Sequence, residues 1–205
     1  MGAPIEELKQ RVVADAATEI TGARELCRAA ECPMGNLIAD AMLDRVKDQG
    51  VDIAIQNGGG IRASIDAGEI TMGEVLTVLP FQNTLSTFQV TGAVLVAALE
   101  NGVSEIEEVA GRFPQVAGMT FTVDAAAEVG SRVSDVMIGG APVDLEKVYG
   151  VVTNNFIRKG GDGYAMFKDA ANAYDFGPDV ADVASEYLAA NAPYTPVLEG
   201  RITMK

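Results

Sequence analysis

Two glycine-rich segments of this sequence carry the residue types best suited to hold a small polar ligand. The first, Asn57-Gly-Gly-Gly-Ile-Arg62, follows a predicted strand and ends on an arginine. We expect its glycines, Gly59 and Gly60 among them, to leave main-chain N–H groups free for a ligand. Arg62 would add a two-pronged donor for a phosphate or a carboxylate. A flexible turn with a surface arginine explains the same spacing equally well.

The second segment contains Gly160-Gly-Asp162-Gly163, a dense turn signal. An aspartate held on such a turn can accept hydrogen bonds from two neighbouring hydroxyl groups, such as those of a ribose. The competing interpretation is an Asx turn, in which Asp162 caps its own backbone. Taken alone, this segment favours the Asx turn.

Two phenylalanines lie in polar surroundings. Phe81 follows Pro80 in a loop, and Phe156 lies between polar residues just before the second glycine segment. Most phenylalanines belong to the core, so burial is the default expectation for both. If both are exposed, the two rings can sandwich a planar base, with stacking worth about 1–3 kcal/mol per base.

The sequence has two cysteines, Cys27 and Cys32, separated by four residues. The lack of a second pair excludes a four-cysteine zinc site. A short disulfide loop and two buried free thiols both fit this spacing, and composition does not decide between them.

Composition excludes several other functions. The 205 residues carry a formal net charge of −14, which argues against a nucleic-acid duplex or an anionic membrane as partner. There is no histidine, so no Ser-His-Asp triad, HExxH site or histidine-ligated metal can form. No apolar run is long enough to span a bilayer. Residues 1–7 lack the basic and apolar regions of a signal peptide.

Hydrophobic periodicity predicts helices and strands that interleave irregularly. Residues 5–29 carry apolar side chains at roughly helical spacing. Clearer helices are predicted over 36–48, 92–101 and 179–190, and strands over 51–55, 85–90, 119–123, 132–138, 148–153 and 199–204. This pattern favours a layered α+β fold over a doubly wound one, within a single domain spanning residues 1–205.

In combination, the motifs resemble the C-terminal domain of the 5'-nucleotidase/UDP-sugar hydrolase family. The resemblance covers nearly the whole chain and rests on ordered, spaced segments: 27–42, 57–62, 79–81, 155–163 and 199–202. It implies the layered mixed fold of that domain. It also implies a nucleotide-binding role within a hydrolase that acts on phosphoric esters.

The resemblance assigns roles to single residues. It implies that Arg28 and Arg62 contact a phosphate and that Asp162 holds ribose hydroxyls. By the same resemblance, Asn57 lies near the base, beside Gly59 and Gly60, and Phe81 and Phe156 stack on its two faces. Some family members have a disulfide at the spacing of Cys27 and Cys32, which favours a bridge and a periplasmic or extracellular location.

The resemblance places catalysis outside this sequence. Family members use a divalent metal pair in an N-terminal metallophosphatase domain, which this chain lacks. We therefore expect the chain to bind no metal or cofactor, to be inactive alone, and to have a nucleotide and that missing domain as partners. Three alternatives stay open: a stand-alone nucleoside-binding module, a UDP-sugar or cyclic-nucleotide hydrolase domain, and an oligomer scaffold.

Overall fold

The computed structural model describes residues 3–205. Residues 1 and 2, part of the segment expected not to be a signal peptide, lie outside that range. The helices are α1 (Ala3–Gln10), α2 (Arg24–Cys27), α3 (Pro33–Arg45), α4 (Met72–Val78), α5 (Gly92–Gly102), α6 (Asn155–Arg158) and α7 (Val180–Ala190). The strands are β1 (Val12–Ala16), β2 (Ile53–Asn57), β3 (Gly68–Thr71), β4 (Leu85–Thr91), β5 (Pro114–Ala117), β6 (Met119–Val123), β7 (Val133–Ile138), β8 (Ala141–Pro142), β9 (Val148–Asn154), β10 (Ala171–Tyr174) and β11 (Ile202–Met204).

Side-chain caps define where several helices begin. Thr71 and Glu74 form a capping box at the start of α4, which satisfies two backbone N–H groups reciprocally. Thr91 caps α5, and Asp179 caps α7. Asn154 caps α6 by accepting a hydrogen bond from the backbone of Ile157.

A five-stranded sheet in the order β10-β4-β9-β2-β5 forms the centre of the molecule. Within it, β2 and β9 are parallel, and the other neighbours are antiparallel. A second sheet has the order β11-β6-β7-β8, and β1 pairs with β3. These mixed, mainly antiparallel sheets with helices confirm the predicted α+β class.

Strands β2 and β9 of the central sheet are buried on both faces, because their successive residues enter different hydrophobic clusters. Ala54 and Val152 pack with apolar residues of α3, α4 and α7. Ile53, Ile55 and Val151 pack on the opposite side with residues of α5, β6 and β7. The central strands are therefore fixed from both sides, and so are the loops at their ends.

The helical spacing predicted across residues 5–29 is wrong for Val12–Ala16, and beyond Gln10 only the single turn Arg24–Cys27 is helical. Residues Val12–Ala16 form a strand that pairs with β3, and its burial alternates along the chain. The β-branched pair at its start favours this extended conformation. Helix α4 was not predicted, although Thr71 and Glu74 have capping-box spacing.

Most of the other predicted elements are present with shifted ends. The predicted helix 36–48 is observed as Pro33–Arg45, and the predicted strand 51–55 as Ile53–Asn57. The predicted last strand 199–204 is reduced to Ile202–Met204. Within residues 3–205, no helix is both long enough and apolar enough to cross a membrane.

Candidate functional site

The two glycine segments meet because they follow neighbouring parallel strands. Strand β2 ends at Asn57 and β9 ends at Asn154, and the two strands pair in parallel. Carboxyl ends of parallel strands lie at the same edge of a sheet, which is a recurrent place for ligands. At this edge lies a groove of about 360 Å³, lined by Arg28, Asn57, Gly59, Gly60, Arg62, Phe81, Asn83, Gly111, Phe156 and Asp162.

Arg28 reaches this groove from a loop closed by Cys27 and Cys32, here named the Arg28 loop (residues 27–32). The two cysteines are joined in a disulfide with an S–S distance of 2.07 Å, so the alternative of two free thiols is wrong for this structure. Gln115, which is fully buried, also closes the loop. Its Oε1 accepts from the Cys32 N–H at 3.1 Å, and its Nε2 donates to the carbonyls of Cys27 and Ala30 at 3.0 and 2.7 Å.

The guanidinium of Arg28 lies in surroundings that suit an anion. The residue is only 8% exposed, and its Nε is buried without a hydrogen-bond partner within residues 3–205. Burial lowers the pKa of Arg28, and the positive charges of Arg24 and Arg62 lower it further, whereas Asp162 opposes the shift. An arginine keeps its charge under such conditions, so a bound anion would compensate a partly uncompensated cation.

The glycines at residues 58–60 serve close packing rather than free donors, and the expectation of N–H groups facing a ligand is wrong for two of them. The N–H groups of Gly58 and Gly59 donate to the carbonyls of Phe113 and Gly111 at 2.7 and 2.8 Å. A Cβ on Gly58 would collide with the carbonyl oxygen of Cys27, and one on Gly59 would lie 2.9 Å from the Cα of Gly111. The segment therefore needs glycine because other chain segments touch it.

Arg62 and Phe81 form one wall of the groove. The Arg62 guanidinium lies 5.7 Å from the centroid of the Phe81 ring, within the range of a cation–π contact. Phe81 is 55% exposed, so the ring is not a core residue.

Phe156 is 46% exposed and lies on the single turn of α6. A Cβ on Gly161 would come within 2.6 Å of its ring, so the glycine leaves the space that the ring occupies. Four other phenylalanines of the chain are buried: Phe88, Phe113, Phe121 and Phe167.

Asp162 lies in a turn with unusual backbone angles, here named the Asp162 turn (residues 160–163). Its φ is +54°, and the flanking Gly160 and Gly163 have φ values of +92° and +80°. Its Oδ2 accepts a hydrogen bond from Asn57 Nδ2 at 2.7 Å, and its carbonyl accepts from Asn101 Nδ2 at 3.1 Å. The carboxylate is thus held by a side chain 105 residues away, rather than by the local backbone as in an Asx turn.

Two residues of the groove were missed by sequence reasoning. Asn83 lies two residues after Phe81, and its position in the same polar loop was an available signal. Gly111 carried no signal of its own, because the segments beside it in the groove, at Gly59 and Asp162, are remote in sequence.

The described part of the chain offers no group of three or more His, Cys, Asp or Glu residues that could hold a metal ion. The resemblance assigns its metal pair to a separate N-terminal domain and not to these residues. We derive no catalytic step through a metal in this chain.

The family model described as "5'-nucleotidase, C-terminal domain" matches residues 12–169. The chain belongs to this family. It is 42% identical over 205 residues to the trifunctional nucleotide phosphoesterase protein YfkN of Bacillus subtilis, covering 97% of this chain and 14% of that protein. It is 36% identical over 201 residues to human 5'-nucleotidase, covering 89% of this chain and 35% of that protein.

A solved structure extends the likeness to the fold. The 5'-nucleotidase precursor of Thermus thermophilus superposes with a TM-score of 0.96 and 45% identity, over 99% of this chain and 41% of that one. The resemblance inferred from the motifs is confirmed. This 5'-nucleotidase C-terminal domain spans less than half the length of each of these three relatives.

Proposed function

We propose that residues 1–205 form the nucleotide-binding domain of a 5'-nucleotidase-type phosphohydrolase. The observation that carries the proposal is the composition of the groove. Two guanidinium groups, two half-exposed aromatic rings and one carboxylate line a single groove of about 360 Å³. These are the groups required by a phosphate, a planar base and a ribose.

Each side chain has a role that its chemistry suits. Arg28 and Arg62 bind the phosphate through charge-assisted hydrogen bonds. Phe81 and Phe156 stack on the base, and Asp162 accepts hydrogen bonds from the ribose hydroxyls.

The relatives support a nucleotide as substrate. The Bacillus protein is described as a nucleotide phosphoesterase, and the human and Thermus proteins as 5'-nucleotidases. In this proposal the chain binds and orients the nucleotide, and a metallophosphatase domain elsewhere in the parent protein breaks the phosphate ester. The disulfide of the Arg28 loop fits a periplasmic or extracellular location.

The base contact is tested by calorimetric titration of the chain with adenosine. We expect Phe156→Ala to weaken binding about 5- to 150-fold, the equivalent of about 1–3 kcal/mol for one stacked base. Phe176→Ala is the matched control, because Phe176 is 84% exposed and does not line the groove. Equal losses in the two variants, or no loss in Phe156→Ala, would contradict the stacking role.

The phosphate contact is tested by comparing AMP with adenosine. Arg28→Ala should lower the affinity for AMP and leave that for adenosine nearly unchanged, since only AMP carries the phosphate. Arg11→Ala is the control, because Arg11 is exposed, does not line the groove and is not among the charges that shift the pKa of Arg28. An equal effect of Arg28→Ala on both ligands would argue against phosphate binding by this residue.

A further inference from the structure

A fully buried asparagine lies behind the groove and contacts both of its halves. Asn154 is 0% exposed and ends strand β9. Its Nδ2 donates to Gln56 Oε1 at 3.1 Å and to Asn57 Oδ1 at 2.8 Å. Its Oδ1 accepts from the Ile157 N–H at 3.0 Å and so caps the turn that carries Phe156. Its side-chain donors and acceptor are therefore all engaged.

The bond from Asn154 determines which way the amide of Asn57 points. Asn57 is 3% exposed, and its Oδ1 accepts from Asn154. Its Nδ2 must then face the opposite side, where it donates to Asp162 Oδ2 at 2.7 Å. A carboxylate only accepts, so the reversed Asn57 amide would place an oxygen against an oxygen.

Asn154 therefore donates to Asn57, and Asn57 donates to Asp162. We name this directional chain of two hydrogen bonds the relay. It starts at a residue that does not line the groove and ends at one that does. The Asp162 turn is otherwise held by one side-chain bond to its carbonyl, from Asn101. The relay is the side-chain contact that orients the carboxylate itself.

We propose that Asn154 is a positioning residue that orients the Asp162 carboxylate toward the ribose hydroxyls through Asn57. The proposal rests on the proposed function, because it assumes that Asp162 binds a ribose. It extends that function to a buried residue that no ligand touches.

The informative variant is Asn154→Asp, which keeps size and shape. One oxygen of the new carboxylate still caps Ile157, but the other replaces the donor that faced Gln56 and Asn57. Asn57 can satisfy this oxygen only by turning its Nδ2 toward it, and its Oδ1 then faces Asp162. Asn155→Asp is the matched control, because it makes the same change one residue along and keeps the oxygen that accepts from the Thr84 N–H.

The first measurement compares adenosine with 2',3'-dideoxyadenosine by calorimetry on the full 205-residue chain. The wild type should prefer adenosine about tenfold or more, as expected for hydrogen bonds to a charged acceptor. Asn154→Asp should reduce that preference to less than about threefold, whereas Asn155→Asp should retain it. If Asn154→Asp lowers the affinity for both nucleosides equally, the role of Asn154 is merely structural. That result would overturn this inference and leave the proposed function intact.

The second measurement needs no ligand. In the double variant Asn154→Asp/Asp162→Asn the direction of the relay is reversed, so Asn57 again has a donor on one side and an acceptor on the other. Its melting temperature should recover at least half of the loss seen in Asn154→Asp. Additive losses would show that the two positions are not coupled and would overturn the relay.

Failure of the proposed function has a different signature. If the wild type binds neither nucleoside at millimolar concentration, the nucleotide-binding role is contradicted, and the ribose role of Asn154 falls with it. If the wild type binds both nucleosides equally, Asp162 does not bind the ribose hydroxyls. The inference is then overturned, whereas binding of the base is not contradicted.

Discussion

The Arg28 loop and the Asp162 turn present charged side chains of opposite sign to the same groove, but they are held in different ways. The Arg28 loop is closed by a disulfide and by the buried Gln115, which donates two hydrogen bonds to the loop and accepts one from it. The Asp162 turn has no covalent tie. Amide side chains from Asn57 and Asn101 hold it, and three of its residues have positive φ.

The Arg28 loop is anchored at a third point, by the carboxylate of Glu31. Glu31, within the Arg28 loop, is 7% exposed and accepts hydrogen bonds from Asn36 Nδ2 and from the N–H groups of Glu199 and Arg201. These contacts tie the loop to helix α3 and to the segment before β11. Damage to the Arg28 loop should therefore appear first as lost stability, and damage to the Asp162 turn first as altered ligand selectivity.

The largest expected effect is that of Glu31→Ala. Removing the carboxylate leaves several buried donors unpaired, and we expect a loss of about 3 kcal/mol in the free energy of unfolding. Chemical denaturation measures this loss, and Glu19→Ala on the exposed surface is the control. A change below about 1 kcal/mol would show that the loop does not depend on this anchor.

The stability that Glu31 contributes to the Arg28 loop depends on pH. Burial opposes its charge, but hydrogen bonds from Asn36 and from the backbone of Glu199, Ile202 and Arg201 outweigh burial and lower the pKa of Glu31. A lowered carboxyl pKa contributes stability that is complete above the unfolded value of about 4.3 and is lost as the pH falls through the folded value. The stability difference between wild type and Glu31→Gln should therefore shrink below about pH 4.3. A stability difference between wild type and Glu31→Gln that stays constant down to pH 2 would contradict this role of the Glu31 carboxylate.

Gln115→Leu should have the next largest effect. The substitution keeps bulk but leaves the carbonyls of Cys27 and Ala30 and the N–H of Cys32 unpaired, at a cost of about 2 kcal/mol. Affinity for AMP should fall more than affinity for adenosine, because the loop carries Arg28. Gln49→Leu is the exposed control, and equal melting temperatures for the two variants would refute the role of Gln115.

Removal of the disulfide should lower the free energy of unfolding by about as much as Gln115→Leu does, or slightly less. A loop closed between residues 27 and 32 is short, so its entropic contribution is about 2 kcal/mol. Cys27→Ser/Cys32→Ser should unfold at lower denaturant concentration yet still bind adenosine with nearly unchanged affinity. A complete loss of adenosine binding would show that the two loops are more strongly coupled than the structure indicates.

The smallest effect on stability should come from Asn101→Ala. It removes the part-buried hydrogen bond to the Asp162 carbonyl and a longer one, 3.4 Å, that Asn101 Oδ1 accepts from Arg112, together worth about 1 kcal/mol. The preference for adenosine over 2',3'-dideoxyadenosine should nevertheless fall, because the turn loses one of its two side-chain anchors. Unchanged preference would show that the relay from Asn154 holds the carboxylate without help.

Local patterns predicted the parts of the fold that depend on local interactions. The helix predicted over 92–101 and the strand predicted over 132–138 follow from periodicity within a short window, and both are present. The strand Val12–Ala16 was taken for helix because its pairing partner lies more than fifty residues later. Periodicity within a short window does not report such a partner.

The sequence by itself determined which chemical groups are available for a ligand, because its ordered motifs carry arginines, phenylalanines and an aspartate. Only the tertiary structure decided how they are held. Gly58 and Gly59 are required by chain segments remote in sequence, and Asn154 acts through Asn57 on Asp162. Such contacts depend on the parallel pairing of β2 and β9, which brings residues about one hundred positions apart within hydrogen-bonding distance.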